Sequence, residues 1–179
     1  MTKIIFLDID GVLNCNSSDP YMPNGYVGID EDKLQNLKYI VDQTGAEIYL
    51  TSTWKHGWSP RESGKFIQDD FGNEIDFRFS AAGLQITNKT YEGLGGRGDG
   101  IYHVLITLDP APEGWVVLDD EYWPDFPIFD IDTHFVKTEW YGMGLTKEKA
   151  DLAIQILNNE IEMQYDKSLF TYRDHIGKE

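Results

Sequence analysis

Three short apolar runs, at residues 3–8, 47–51 and 115–118, recur along the chain with helical stretches between them. Each run ends in polar residues: Asp8 and Asp10, Thr51 and Ser52, Asp119 and Asp120. Short runs that are apolar throughout, rather than alternating, suit strands covered on both faces. After the first run, Asp30 is placed to cap a helix whose Leu34, Leu37, Ile40 and Val41 share one stripe, and Gly45 to close it. Strands joined by helical crossovers run parallel, with helices on both faces of the sheet. The expectation is an α/β, Rossmann-like three-layer sandwich around a central, mainly parallel sheet.

The remaining segments are less uniform. Ser59, Pro60 and Glu62 have the pattern of a capping box and predict a helix over about 60–71. Residues 73–96 show no clean period and read as an irregular insertion. Gly98 or Asp99 opens a helix with Ile101, Val104, Leu105 and Leu108 on one stripe, stopped before Pro110. Residues 134–137 read as a last short strand, and Thr146 caps a helix running to about 163. The polar stretch 11–28 is long for a connector and reads as a functional loop. A length of 179 residues suits one domain, assigned to 1–165 and followed by a tail over 166–179.

Charge narrows the function. With 15 Lys+Arg against 31 Asp+Glu, the formal charge of −16 repels polyanions at long range and disfavours nucleic-acid capture by counterion release. A phosphorylated ligand then needs local compensation. No apolar run approaches the ~20 residues that cross a bilayer, and Asp8 interrupts the first run too early for a signal peptide. The expectation is no membrane role and a cytoplasmic location. Cys15 is the single cysteine, which excludes an internal disulfide and a Cys-based zinc cage.

In an open parallel sheet the site lies beyond the carboxyl ends of the strands, where the three polar clusters meet. Carboxylates gathered in a low dielectric repel one another unless a cation lies between them. Oxygen-only ligands point to Mg²⁺.

The stretch Ile4-Ile-Phe-Leu-Asp8-Ile-Asp10-Gly11-Val12-Leu13-Asn14 resembles the first motif of the haloacid dehalogenase (HAD) phosphohydrolase superfamily. Residues 48–52, an apolar strand ending in Thr51 and Ser52, resemble the second motif, and residues 116–120 the fourth. The third is normally a lysine; Arg97 stands in its expected place, with Lys55 and Lys89 as substitutes. The whole pattern over most of 3–157 is similar to small HAD domains associated with RNA repair systems in phage and bacteria. The resemblance implies a HAD-like fold with a small or absent cap and a phosphatase working through an aspartyl-phosphate.

The residue chemistry agrees with that implication. Asp8 is the candidate nucleophile, and Asp10 the acid that protonates the leaving oxygen and then activates water. Gly11 lets the backbone pass close to a phosphate. Thr51 or Ser52 donates to a phosphoryl oxygen, with Lys55 also assigned to the substrate. Arg97 clamps the equatorial oxygens, where charge gathers in a loose transition state. Asp8, Asp10, Asp119 and Asp120 are the candidate Mg²⁺ ligands. The substrate class spans nucleotides, small phosphorylated metabolites and, against the acidic charge, nucleic-acid ends held by a groove of Lys55, Arg61, Lys65, Arg78 and Lys89. The alternative is a phosphoryl-binding or regulatory module with little turnover.

Other signals weigh less. Gly93-Leu-Gly-Gly-Arg-Gly98 has the letters of a dinucleotide fingerprint without the preceding strand that motif requires. The histidines, at 56, 103, 134 and 175, lack metal spacing. Trp54, Trp58, Trp123 and Trp140 flank the site segments, where aromatics serve as core or stack a base.

Overall fold

The computed structural model describes residues 2–59, 69–91 and 96–164. Five strands, β1 (Lys3–Leu7), β2 (Glu47–Leu50), β3 (Ile86–Lys89), β4 (Gly114–Asp119) and β5 (Phe135–Lys137), form one sheet in the order β3-β2-β1-β4-β5. Every pairing is parallel. The helices are α1 (Glu31–Thr44), α2 (Asp70–Ala82), α3 (Arg97–Thr107) and α4 (Lys147–Leu157).

The strand period of two divides the apolar runs between two cores. Ile5, Leu7, Ile48, Leu50, Val116 and Leu118 face the side covered by α1, α2 and α4 through Leu34, Leu37, Ile75, Phe79, Ala150 and Leu157. Ile4, Phe6, Tyr49 and Val117 face the other side, against Ile101 and Val104 of α3 and against Phe126 and Ile131. Burial on both faces explains why these strands are apolar throughout, and the result is the expected three-layer α/β sandwich.

In place of the irregular insertion expected over 73–96, residues 73–89 carry regular elements, and 92–95 lie outside the described residues. Asp69 accepts from the Phe71 and Gly72 N–H groups and opens α2, and Gly83, left-handed at φ 71°, closes it. Ile86–Lys89 then adds edge strand β3 beside β2. Both elements were illegible because each buries little: α2 hides only Gly72, Ile75 and Phe79, and β3 only Ile86. The helix expected over 60–71 falls mostly on residues 60–68, outside the described ones; Asp69 itself is extended. The expected final helix stops at Leu157 rather than 163, since Asn159 turns the chain at φ 57°. Ile161 and Met163 still pack on the core, but from a non-helical segment, with the Met163 N–H donating to the Thr133 carbonyl. The tail assigned to 166–179 lies outside the described residues.

Between β1 and α1 the chain forms a short flap. Tyr21 and Val27 bridge antiparallel around a turn at Gly25 (φ 81°), and the Ile29 N–H donates to Glu74 Oε1, tying the flap to α2. No described helix is long and apolar enough to cross a membrane.

Candidate active site

Asp8 is the first residue beyond β1, and its N–H still donates to the Leu118 carbonyl at 2.9 Å, so the sheet fixes where its side chain starts. Leu7 pairs with Leu118, which sets Asp8 beside Asp119. Arg97, at the first position of α3, joins the two: Nη1 lies 2.9 Å from Asp8 Oδ1 and 2.6 Å from Asp119 Oδ2. The guanidinium rests over the Trp123 ring, 4.6 Å from its centroid. Asp8, Asp119 and Asp120 each place an oxygen within 4.8 Å of the others, so this cluster can hold a metal ion. Asp10 is not in that group.

The electrostatics show a site short of positive charge. Burial pushes the Asp119 carboxyl well above the usual range, against the pull of Arg97. Asp120 is pushed up to about 7, first by burial and then by Asp8, Glu121 and Asp10. Burial works to lower the Arg97 pKa, but Asp119 and Asp8 together hold it above its ordinary value. Asp119 has both oxygens engaged, Oδ2 by Arg97 and Oδ1 by the Glu121 N–H at 2.9 Å.

Asp10 is held apart by two donors. Asn14 Nδ2 reaches its Oδ1 at 3.0 Å, and the Trp54 indole N–H reaches its Oδ2 at 3.0 Å. Asn14 is fully buried and accepts in turn from the Gly11 N–H, which locks the turn after β1. Burial raises the Asp10 pKa. Asn14 and Trp54 are partners that residue spacing did not reveal, although Asn14 lies in the first motif and Trp54 flanks the second.

Thr51 follows β2 and is 2% exposed; its N–H donates to Leu7, while its Oγ1 has no partner among the described residues. Ser52 Oγ accepts instead from the Trp54 N–H and caps a 3₁₀ turn at Thr53–His56. Lys55 donates to Thr90 Oγ1, and Lys89 to the Lys55 and Trp58 carbonyls. Arg97 is therefore the cation seen to bridge the site carboxylates. Of the groove proposed from sequence, Arg78 pairs with Glu74, and Arg61 and Lys65 lie outside the described residues.

Two glycine positions acquire reasons that the sequence did not suggest. Gly98 and Gly96 give room to Asp125, whose carboxylate lies within 3 Å of where a Cβ on either would stand, and Asp125 Oδ2 accepts from the Asp99 N–H at the start of α3. The apparent fingerprint thus serves helix placement at the two glycines described. At Gly11, which is left-handed at φ 73°, a Cβ would lie 2.4 Å from the Asp120 side chain. Gly11→Ala is expected to cost about 1–3 kcal/mol, from strain and displacement of Asp120. Chemical denaturation checks this, and an unchanged midpoint would contradict it.

Comparison with known proteins follows the same lines. A family model described as the HAD domain in Swiss Army Knife RNA repair proteins matches residues 4–150. None of the curated proteins matches. Among solved structures, the chain is similar to a Legionella pneumophila protein assigned to the HAD superfamily (subfamily III A) hydrolases, at 15% identity and TM-score 0.47, covering 89% of this chain and 85% of that one. It is also similar to a Vibrio cholerae protein assigned as a 3-deoxy-D-manno-octulosonate 8-phosphate phosphatase, at 16% identity and TM-score 0.44, covering 92% and 88%. The family match covers the sheet from Ile4 onward and each of the side chains gathered at its carboxyl edge, and on that ground the chain belongs to the HAD domains of Swiss Army Knife RNA repair proteins.

Proposed function

We propose that this chain is a Mg²⁺-dependent phosphatase that hydrolyses a phosphomonoester through an aspartyl-phosphate on Asp8. One observation carries the reading: Asp8, Asp119 and Asp120 converge within 4.8 Å, with Arg97 bridging only the first two. An all-oxygen donor set in which Asp120 holds its proton to about 7 fits a hard divalent cation. Asp8 and Asp120 would hold the ion, since Asp119 already has both oxygens engaged. When bound, Mg²⁺ neutralises the clustered carboxylates and the phosphoryl group.

The chain's own residues supply the steps. A carboxylate oxygen of Asp8 attacks phosphorus, and the bond to the leaving oxygen breaks as that oxygen takes the Asp10 proton. Asp10 then takes a proton from water, whose oxygen attacks the phosphorus of the aspartyl-phosphate and releases phosphate and free Asp8. Arg97 and the Thr51 hydroxyl, which has no partner among the described residues, would hold phosphoryl oxygens. The net charge of −16 favours a small substrate over a nucleic-acid end. Arg97 reaches both Asp8 and Asp119, so its guanidinium lies beside the oxygen that would carry the phosphoryl group.

Chelation is expected to abolish turnover and added Mg²⁺ to restore it, with full activity in excess chelator overturning the reading. Asp120→Asn supplies a stability test. It removes a half-buried charge facing Asp8 and Asp10, so the metal-free protein should melt higher than wild type. The same change should weaken Mg²⁺ binding by more than about 10-fold, read as a smaller Mg²⁺-induced rise in Tm. A lower metal-free Tm together with an undiminished Mg²⁺ shift would contradict it.

A further inference from the structure

The flap and α2 build a feature that the hydrolysis steps leave unused. A tight turn, with the Met22 N–H donating to the Tyr26 carbonyl and the Gly25 N–H to the Met22 carbonyl, presents Tyr26 toward the site. Its ring meets Trp54 edge-on at 6.2 Å and Phe71 at 5.4 Å, and Trp54 meets Phe71 at 4.8 Å. Trp54 is 3% exposed and Tyr26 44%, so the flap ring offers the open surface and Trp54 the fixed wall. With Thr53 and Asp10, these three rings line an open cleft of about 120 Å³.

The position of the cleft connects it to chemistry. The Trp54 indole N–H bonds Asp10, the acid that serves the leaving oxygen, so whatever that oxygen carries extends along the aromatic wall. Burial raises the Tyr26 pKa, and Asp10 and Asp8 add to it, which keeps the phenol neutral beside the carboxylates. A sugar alone would leave the exposed Tyr26 ring uncovered, whereas a planar base covers it by stacking. Thr53 adds a polar group at the exposed rim. Asp69 and Asp70 adjoin Phe71 in sequence, and with the charge of −16 they oppose the phosphates of a continuing strand.

We infer that this cleft receives the base of a free mononucleotide, with Tyr26 as the specificity-determining side chain. The inference rests on the phosphatase reading for its placement of the leaving group. AMP and ribose 5-phosphate share phosphate and sugar and differ in the base, so their kcat/KM ratio measures the cleft directly. The wild-type ratio should favour AMP by roughly 5- to 100-fold, mainly through KM. Tyr26→Ala should bring the ratio close to one, and Tyr26→Phe should keep it, since the ring and not the hydroxyl does the stacking. A wild-type ratio near one overturns the inference without recourse to any variant, as does a preference that survives Tyr26→Ala. A trinucleotide with a 5′-phosphate that is hydrolysed better than AMP also overturns it.

Calorimetric binding of the same two phosphates in Mg²⁺ separates the two readings. Tighter binding of AMP without turnover of either compound upholds the cleft and refutes the phosphatase. Equal binding and equal turnover uphold the phosphatase and refute the cleft, and binding of neither refutes the cleft.

Discussion

Asp8→Asn is expected to reduce turnover by about 10⁴-fold or more on every phosphomonoester, whatever its leaving group. The amide matches the carboxylate in size but cannot attack phosphorus, so no aspartyl-phosphate forms. The fold should survive the change. Arg97 keeps its 2.6 Å contact to Asp119, and one of three clustered carboxylates loses its charge. The variant should therefore melt no lower than wild type while being inactive. Trapping with acid under single-turnover conditions should recover phosphorylated wild-type protein and none from the variant. Substantial turnover in Asp8→Asn would remove Asp8 from the nucleophile's role.

The loss expected for Asp10→Asn is graded. A sugar alkoxide needs a proton to leave, so removal of the general acid should cost about 10²- to 10⁴-fold on an alkyl phosphate. An aryl phosphate expels a stable phenolate, and its loss in the first step should be much smaller. The structure adds a complication that decides how the experiment is run. Both Asp10 oxygens accept, from Asn14 and from Trp54, whereas an amide offers one oxygen and one donor. One N–H group must then lose its acceptor, which costs about 1–3 kcal/mol of stability. Rates are best compared well below the melting point of the variant, as the ratio between alkyl and aryl substrates. An equal loss on both, in folded protein, would take the acid's role away from Asp10.

Asp8 and Asp10 stood out in the sequence because they follow directly on a buried strand. Strands β1, β2 and β4 are covered on two faces, so nearly every residue in them must be apolar, and the first polar residue marks the edge. Asp8, Thr51 and Asp119 stand at those edges. Strand β3 escaped notice for the opposite reason: at the edge of the sheet only Ile86 is buried, and its polar neighbours look like loop. Helix α4 was read too long because Ile161 and Met163 continue the apolar spacing while packing on the core from a non-helical segment.

The sequence by itself determined the α/β alternation, the parallel crossovers and the acids at the carboxyl edge, because hydrophobic periodicity is a local record of which residues lose contact with water. Only the tertiary structure decided that Arg97 bridges Asp8 to Asp119, that Asp120 fills the space over Gly11, and that Trp54 holds Asp10 across a separation of 44 residues. Such pairings depend on strand order and on where each loop comes to rest. A donor and its acceptor that are far apart in the chain leave no periodic trace in it, and their geometry exists only once the sheet has brought the strand ends together.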